Sequence, residues 1–165
     1  MKTTTLNQAE APRIGPNSDT RKGSAEVLVR ILANQHVLYL KTRNFHWNLR
    51  GPRFHSLHEF FEKQYRSLEE QIDRTAERVR MLGGASPGSM HEFVDLATLK
   101  ECSGELIAGE DALEVLRADH ESVAGELREA VDRLGETGDA GTEDFATSLL
   151  QAHEEAAWML RSFAS

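Results

Sequence analysis

The sequence predicts an all-α chain folded as a four-helix bundle. Three observations predict it. Apolar residues recur at spacings of three and four over four long stretches. No run alternates β-branched and polar residues as a half-buried strand would. The chain has 165 residues, 39% of them hydrophobic, which suits one domain with a single substantial core.

The first helix is expected from Ser24 to about Asn48, with Val27, Ile31, Leu38 and Phe45 on its buried face and Gly51-Pro52 as its stop. The second opens at Ser56, where Glu59 stands at the position of a capping box. Its seam is Leu57, Phe61, Tyr65, Leu68, Ile72, Ala76 and Val79, and Gly83-Gly84 ends it. Residues 85–108 contain Pro87, Gly88 and Gly104 and are expected to form a long crossover holding one short helix over His91–Leu99. Leu113, Leu116, His120, Val123, Leu127, Ala130 and Leu134 make the seam of the third long helix. Gly135–Gly141 is expected as a turn, and Thr142 with Glu143 and Asp144 opens the last helix. Its buried face is Phe145, Leu149, Ala156, Leu160 and Phe163. Two hairpins joined by a long crossing define a ferritin-like four-helix bundle over residues 24–165. Residues 1–23 hold Pro12, Pro16, Gly15 and Gly23, lack periodicity, and are expected to be a flexible N-terminal arm.

Charge excludes some partners. The formal net charge is −8, divided as +3 over residues 1–98 and −11 over residues 99–165. A uniformly basic nucleic-acid binder is excluded. No apolar run approaches the roughly 20 residues that span a bilayer, and the N-terminal residues lack a signal-peptide core. Cys102 is the single cysteine, so no intramolecular disulfide and no cysteine-built metal site can form. A cytoplasmic protein with no membrane partner is expected.

Candidate ligands gather around the first two helices as His46, His58, Glu62, Asp73 and Glu77. On a helix turning about 100° per residue, His58, Glu62, Asp73 and Glu77 fall on one stripe, at the flank of the apolar seam. One metal cannot collect them within a chain, because His58 and Glu77 lie ~28 Å apart along the helix. The pairs His58/Glu77 and Glu62/Asp73 nevertheless share one midpoint, between residues 67 and 68. A second copy packed antiparallel about a twofold axis there would bring His58 and Glu62 to the mate's Glu77 and Asp73. The same symmetry sets Arg66 opposite the mate's Glu69. The plainer alternative is a solvated face on which Arg66, Arg74, Arg78 and Arg80 neutralise these acids.

The run His46-Trp47-Asn48-Leu49-Arg50-Gly51, followed by Leu57-His58-Glu59-Phe60-Phe61-Glu62, resembles the signature of the Dps family, DNA-binding proteins from starved cells. Asp73-Arg74-Thr75-Ala76-Glu77-Arg78 and Leu82-Gly83-Gly84 are similar to that family's second segment, and Trp158 sits in a family-like last helix. The resemblance implies a hollow shell of twelve subunits that oxidises Fe(II) with hydrogen peroxide or dioxygen. Each twofold interface would hold two irons per site, with His46, His58 and Glu62 from one subunit and Asp73 and Glu77 from its mate. Glu62 stands where many members have Asp, which lengthens that ligand by one methylene. Imidazole and carboxylate without thiolate suit iron. Trp47 could donate an electron to the site or simply pack. Acids of the last two helices could draw in ferrous ions and nucleate ferric mineral, with Asp119 and Glu126 as candidates for pore lining. Such a store would protect DNA from oxidative damage.

Other readings compete. An intrasubunit di-iron site built from Glu-x-x-His pairs finds no support, since no glutamate stands three residues before any histidine. A non-enzymatic DNA-compacting protein would use Lys2, Arg13, Arg21 and Lys22 of the arm, multiplied by assembly, against a body carrying −10. A plain helical interaction module explains the seams but not the shared midpoint. His120 is expected as a hydrogen-bonded core residue, His36 lies too far around its helix to join His46, and His55, His91 and His153 have no partner at ligand spacing.

Overall fold

A computed structural model describes residues 12–164. Five helices and two short strands follow in order: α1 (Ser18–Asn48), β1 (Leu49–Arg50), α2 (Phe54–Met81), α3 (Met90–Leu96), β2 (Ile107–Ala108), α4 (Gly109–Thr137) and α5 (Ala140–Ala164). The hairpins α1–α2 and α4–α5 form the all-α, ferritin-like bundle, and α1 also packs on α3 and α4. Residues 97–108 complete the crossover. They end in a parallel pairing of Leu49 with Ile107 and Arg50 with Ala108, which pins the start of α4 beside the end of α1.

The glycine stops act where expected. Gly51 takes φ 115° after α1, and Gly83 takes φ 87° after α2, a conformation open to glycine and strained for other residues. Every residue of the α4 seam is buried. Each of its leucines adds roughly 1.5–3 kcal/mol of transfer free energy on burial. In α2, Leu57, Phe61, Leu68 and Val79 are buried, while Tyr65, Ile72 and Ala76 are half-buried. Helix α1 is covered on most sides because α2, α3 and α4 all pack on it. Leu28 and Leu32 therefore join its core, and Val27 stays half-buried.

The starts of helices depart from the sequence reading. Helix α1 begins at Ser18, not Ser24, because the Asn17 side chain accepts from the Thr20 N–H at 2.9 Å and caps it. Helix α2 begins at Phe54 and uses no capping box: Ser56 Oγ donates to the Arg53 carbonyl at 3.1 Å, and Glu59 faces His55 at 3.5 Å. The short helix is Met90–Leu96, capped by Ser89, rather than His91–Leu99. Thr98 and Leu99 instead donate their N–H groups to Asn34 Oδ1, fixing the crossover to α1.

The turn before α5 is shorter than expected. Gly138 at φ 74° closes α4, and Asp139 caps α5 by accepting from Thr142 N at 3.2 Å. Asp139 is 2% exposed and also accepts from Ser24 Oγ at 2.7 Å, with Arg78 Nη2 at 3.5 Å. Burial alone would raise its carboxyl pKa. The hydrogen bonds from Ser24 and Thr142 and the Arg78 charge outweigh that and hold it below the ordinary value. One buried carboxylate thus ties together α1, α2 and the α4–α5 turn.

Candidate metal centre

His46 closes α1 and His58 lies in the first turns of α2, so the α1–α2 turn brings the two rings face to face. Their centroids are 3.7 Å apart with 16° between the planes. Each ring is fixed by the other's backbone. Nδ1 of His46 lies 2.8 Å from the His58 carbonyl, and Nδ1 of His58 lies 2.9 Å from the His46 carbonyl. A carbonyl can only accept, so each Nδ1 carries the proton. In the neutral rings each Nε2 is then left with a lone pair for a metal.

Glu62 follows one turn after His58. Its carboxylate takes hydrogen bonds from Arg66 Nε at 3.0 Å and Nη2 at 2.5 Å. That pairing holds Glu62 below the ordinary glutamate pKa against the opposing effect of desolvation. The two histidines form one stacked pair, and Glu62, one turn further along α2, is held by Arg66. In this chain Arg66 is engaged by Glu62, the residue it would leave to meet the mate's Glu69.

Asp73 and Glu77 lie further along the same helix, both exposed. Neither has a hydrogen bond or ion pair among the described residues. The arginines that could have neutralised them turn elsewhere. Arg74 lies over the Phe145 ring, Arg78 binds Thr142 and Asp139, and Arg80 Nη1 donates to the Gly84 carbonyl at 2.6 Å. Glu77 lines an open groove of about 360 Å³ with Arg74, Arg78 and Phe145. Among the described residues, no three His, Cys, Asp or Glu side chains converge within a single chain.

The remaining candidates are placed as follows. Trp47 is 57% exposed, its ring under the Arg43 guanidinium at 5.1 Å. Asp119 accepts from Lys41 Nζ at 2.6 Å, and its pKa is raised by burial against that lysine's opposing pull. Glu126 accepts from Thr98 Oγ1 and from Asn34 Nδ2, holding the crossover. Both acids are thus engaged inside the subunit. Arg21 is not part of a free arm: it is buried in α1 and donates Nη1 to the Pro16 carbonyl at 2.6 Å. Lys22 is half-buried on the same helix, Arg13 is exposed, and Lys2 lies outside the described residues.

Sequence spacing missed one partnership. His153 is buried in α5 and its Nδ1 lies 2.9 Å from Nδ1 of His120, itself expected as a hydrogen-bonded core residue. The two are 33 residues apart, so only the packing of α4 on α5 reveals the pair. His36 stacks on Phe93 at 3.6 Å, and His55 and His91 face Glu59 and Asp95 on the surface.

Fold and cluster together define a ferritin-like protein with paired histidines at the first helical turn. A model of the ferritin-like domain matches residues 25–165. Over 151 residues the chain is 47% identical to an uncharacterized low temperature-induced protein of Nostoc sp., covering 91% of this chain and 84% of that one. It is 38% identical over 142 residues to the DNA protection during starvation protein of Brevibacillus brevis, covering 84% and 93%. The crystal structure of the DPS protein from Vibrio cholerae O1 is described as a member of a broad superfamily of ferritin-like diiron-carboxylate proteins. It matches with a TM-score of 0.90 and 30% identity, covering 96% of this chain and 99% of that one. The chain belongs to the Dps family. No helix among the described residues is long and apolar enough to cross a membrane.

Proposed function

We propose that this protein oxidises Fe(II) with hydrogen peroxide at sites shared between two subunits and stores the Fe(III) inside a shell of twelve. His46, His58 and Glu62 of one subunit meet Asp73 and Glu77 of its mate, and each such site takes two irons. The observation that carries this reading is the division of donors in a single chain. Two stacked imidazoles and, one turn on, a carboxylate lie toward one end of α2, while two carboxylates with no ion pair among the described residues stand toward the other. An antiparallel second α2 supplies each half with its complement.

Iron is the substrate here, and the residues have separable tasks. The carbonyl-anchored imidazoles hold Nε2 toward the ion without needing to lose a proton there. Carboxylates favour the ferric product over the ferrous reactant, which drives oxidation forward. Peroxide accepts two electrons, so a site that delivers both avoids releasing hydroxyl radical, and nearby DNA is thereby protected. Ferrous-oxidation kinetics test the reading: His46→Ala and Asp73→Asn each slow oxidation by peroxide while the particle stays assembled. Parent-like rates in both variants would overturn it.

A further inference from the structure

Within its own subunit His46 touches a second ring besides His58. Tyr65 meets it edge-on, with centroids 5.3 Å apart and 78° between the planes. Tyr65 in turn meets Tyr39 edge-on at 6.2 Å. The Arg43 guanidinium lies over the rings of Tyr39, Trp47 and Tyr65 at 5.5, 5.1 and 5.1 Å. Arg43 also donates Nη1 to the Tyr39 hydroxyl at 2.7 Å, which fixes the group. Trp47, next to His46 in sequence, makes no ring contact with either histidine among the described residues.

From this geometry we propose that Tyr65, rather than Trp47, is the protein's electron donor beside the histidines, serving when a single ferrous ion is bound. The inference rests on the iron-oxidation reading above. One ferrous ion supplies only one of the two electrons that peroxide needs. Tyr65 supplies the other. The O–O bond breaks, the phenolic proton and one solvent proton complete two water molecules, and Fe(III) and a neutral tyrosyl radical remain. The next ferrous ion returns an electron to the phenoxyl oxygen, which takes a proton from solvent. The total is two ferrous ions oxidised per peroxide, with no hydroxyl radical released.

Charge favours the phenol over the indole. An oxidised indole begins as a cation, and the guanidinium fixed over Trp47 repels that charge. Tyrosine sheds its proton on oxidation and stays neutral, so the same guanidinium disfavours it far less. Tyr39, edge-on to Tyr65, gives the radical a second ring.

Rapid-freeze electron paramagnetic resonance tests the proposal on the assembled protein, loaded with one Fe(II) per site and mixed with hydrogen peroxide. A tyrosyl signal is expected in the parent and in Trp47→Phe, and its loss in Tyr65→Phe, with spin-trapped hydroxyl radical rising in that variant. A signal that survives Tyr65→Phe, or ferric absorbance in the parent without any tyrosyl signal, overturns the assignment. Absence of ferric absorbance in the parent would instead remove the iron-oxidation reading, and the donor role with it.

Discussion

Mild acid should weaken this bundle from its centre. His153 is 1% exposed, shares one hydrogen bond with His120, and its Nε2 has no partner among the described residues. Burial lowers the His153 pKa from 6.5 to about 4, and burial with the neighbouring His153 charge lowers His120 well below its ordinary value. A folded pKa below the unfolded one means that the unfolded chain takes up protons first as pH falls. The contribution is therefore fully present above about pH 6.5 and is lost progressively down to about pH 4. For His153 alone, linkage gives a loss of about 2 kcal/mol between pH 7 and pH 5. For a chain of this size that is roughly 4–8 °C in Tm. Thermal unfolding followed by circular dichroism at fixed protein concentration measures it in the parent and in His153→Leu. The variant should start lower at pH 7, since His120 loses its partner at a cost of about 1–3 kcal/mol. Its further loss on going to pH 5 should be smaller than the parent's by about 2 kcal/mol. Parallel losses in the two proteins would refute the reasoning.

Two further outcomes concern the frame that carries the site. Gly109→Ala places a Cβ 2.6 Å from Leu57 Cδ1, where α4 meets α2 one residue before His58, and should cost about 1–3 kcal/mol in urea unfolding. Full parent stability would show that Leu57 yields freely. Asp139→Ala removes the α5 cap and leaves Arg78 and Ser24 without their acceptor; a loss of roughly 3 kcal/mol is expected from chemical denaturation, and a loss under about 0.5 kcal/mol would contradict the role given to it.

What was legible in the sequence followed from local physics. The α4 seam is read residue by residue because one stripe faces one core, and the glycines at 51 and 83 take positive φ just past helix ends. That His46 and His58 lie together was legible because a short turn joins neighbouring helices. Cap contacts were only partly read. The signals at Asn17 and at Gly138-Asp139 were in the sequence, but Ser24, Ser56 and Thr142 offered plausible starts nearby, and tertiary contacts chose between them. Arg21 looked like an arm residue because its burial depends on the Pro16 carbonyl folding back over it. On sequence alone His153 is an isolated position and Tyr65 a seam position. Their chemistry depends on contacts with residues 33 and 19 positions away in the chain, which no helical period encodes.

The sharing of each site between two chains can be measured directly by mixing defects. His46→Ala and Asp73→Asn subunits, each slow alone, are unfolded and refolded together in equal amounts, and ferrous oxidation by peroxide is followed. In a mixed dimer one site inherits both lesions and the other inherits neither, so ~one quarter of parent activity should return. A mixture no more active than its separate components would mean that these five side chains do not meet across a twofold axis.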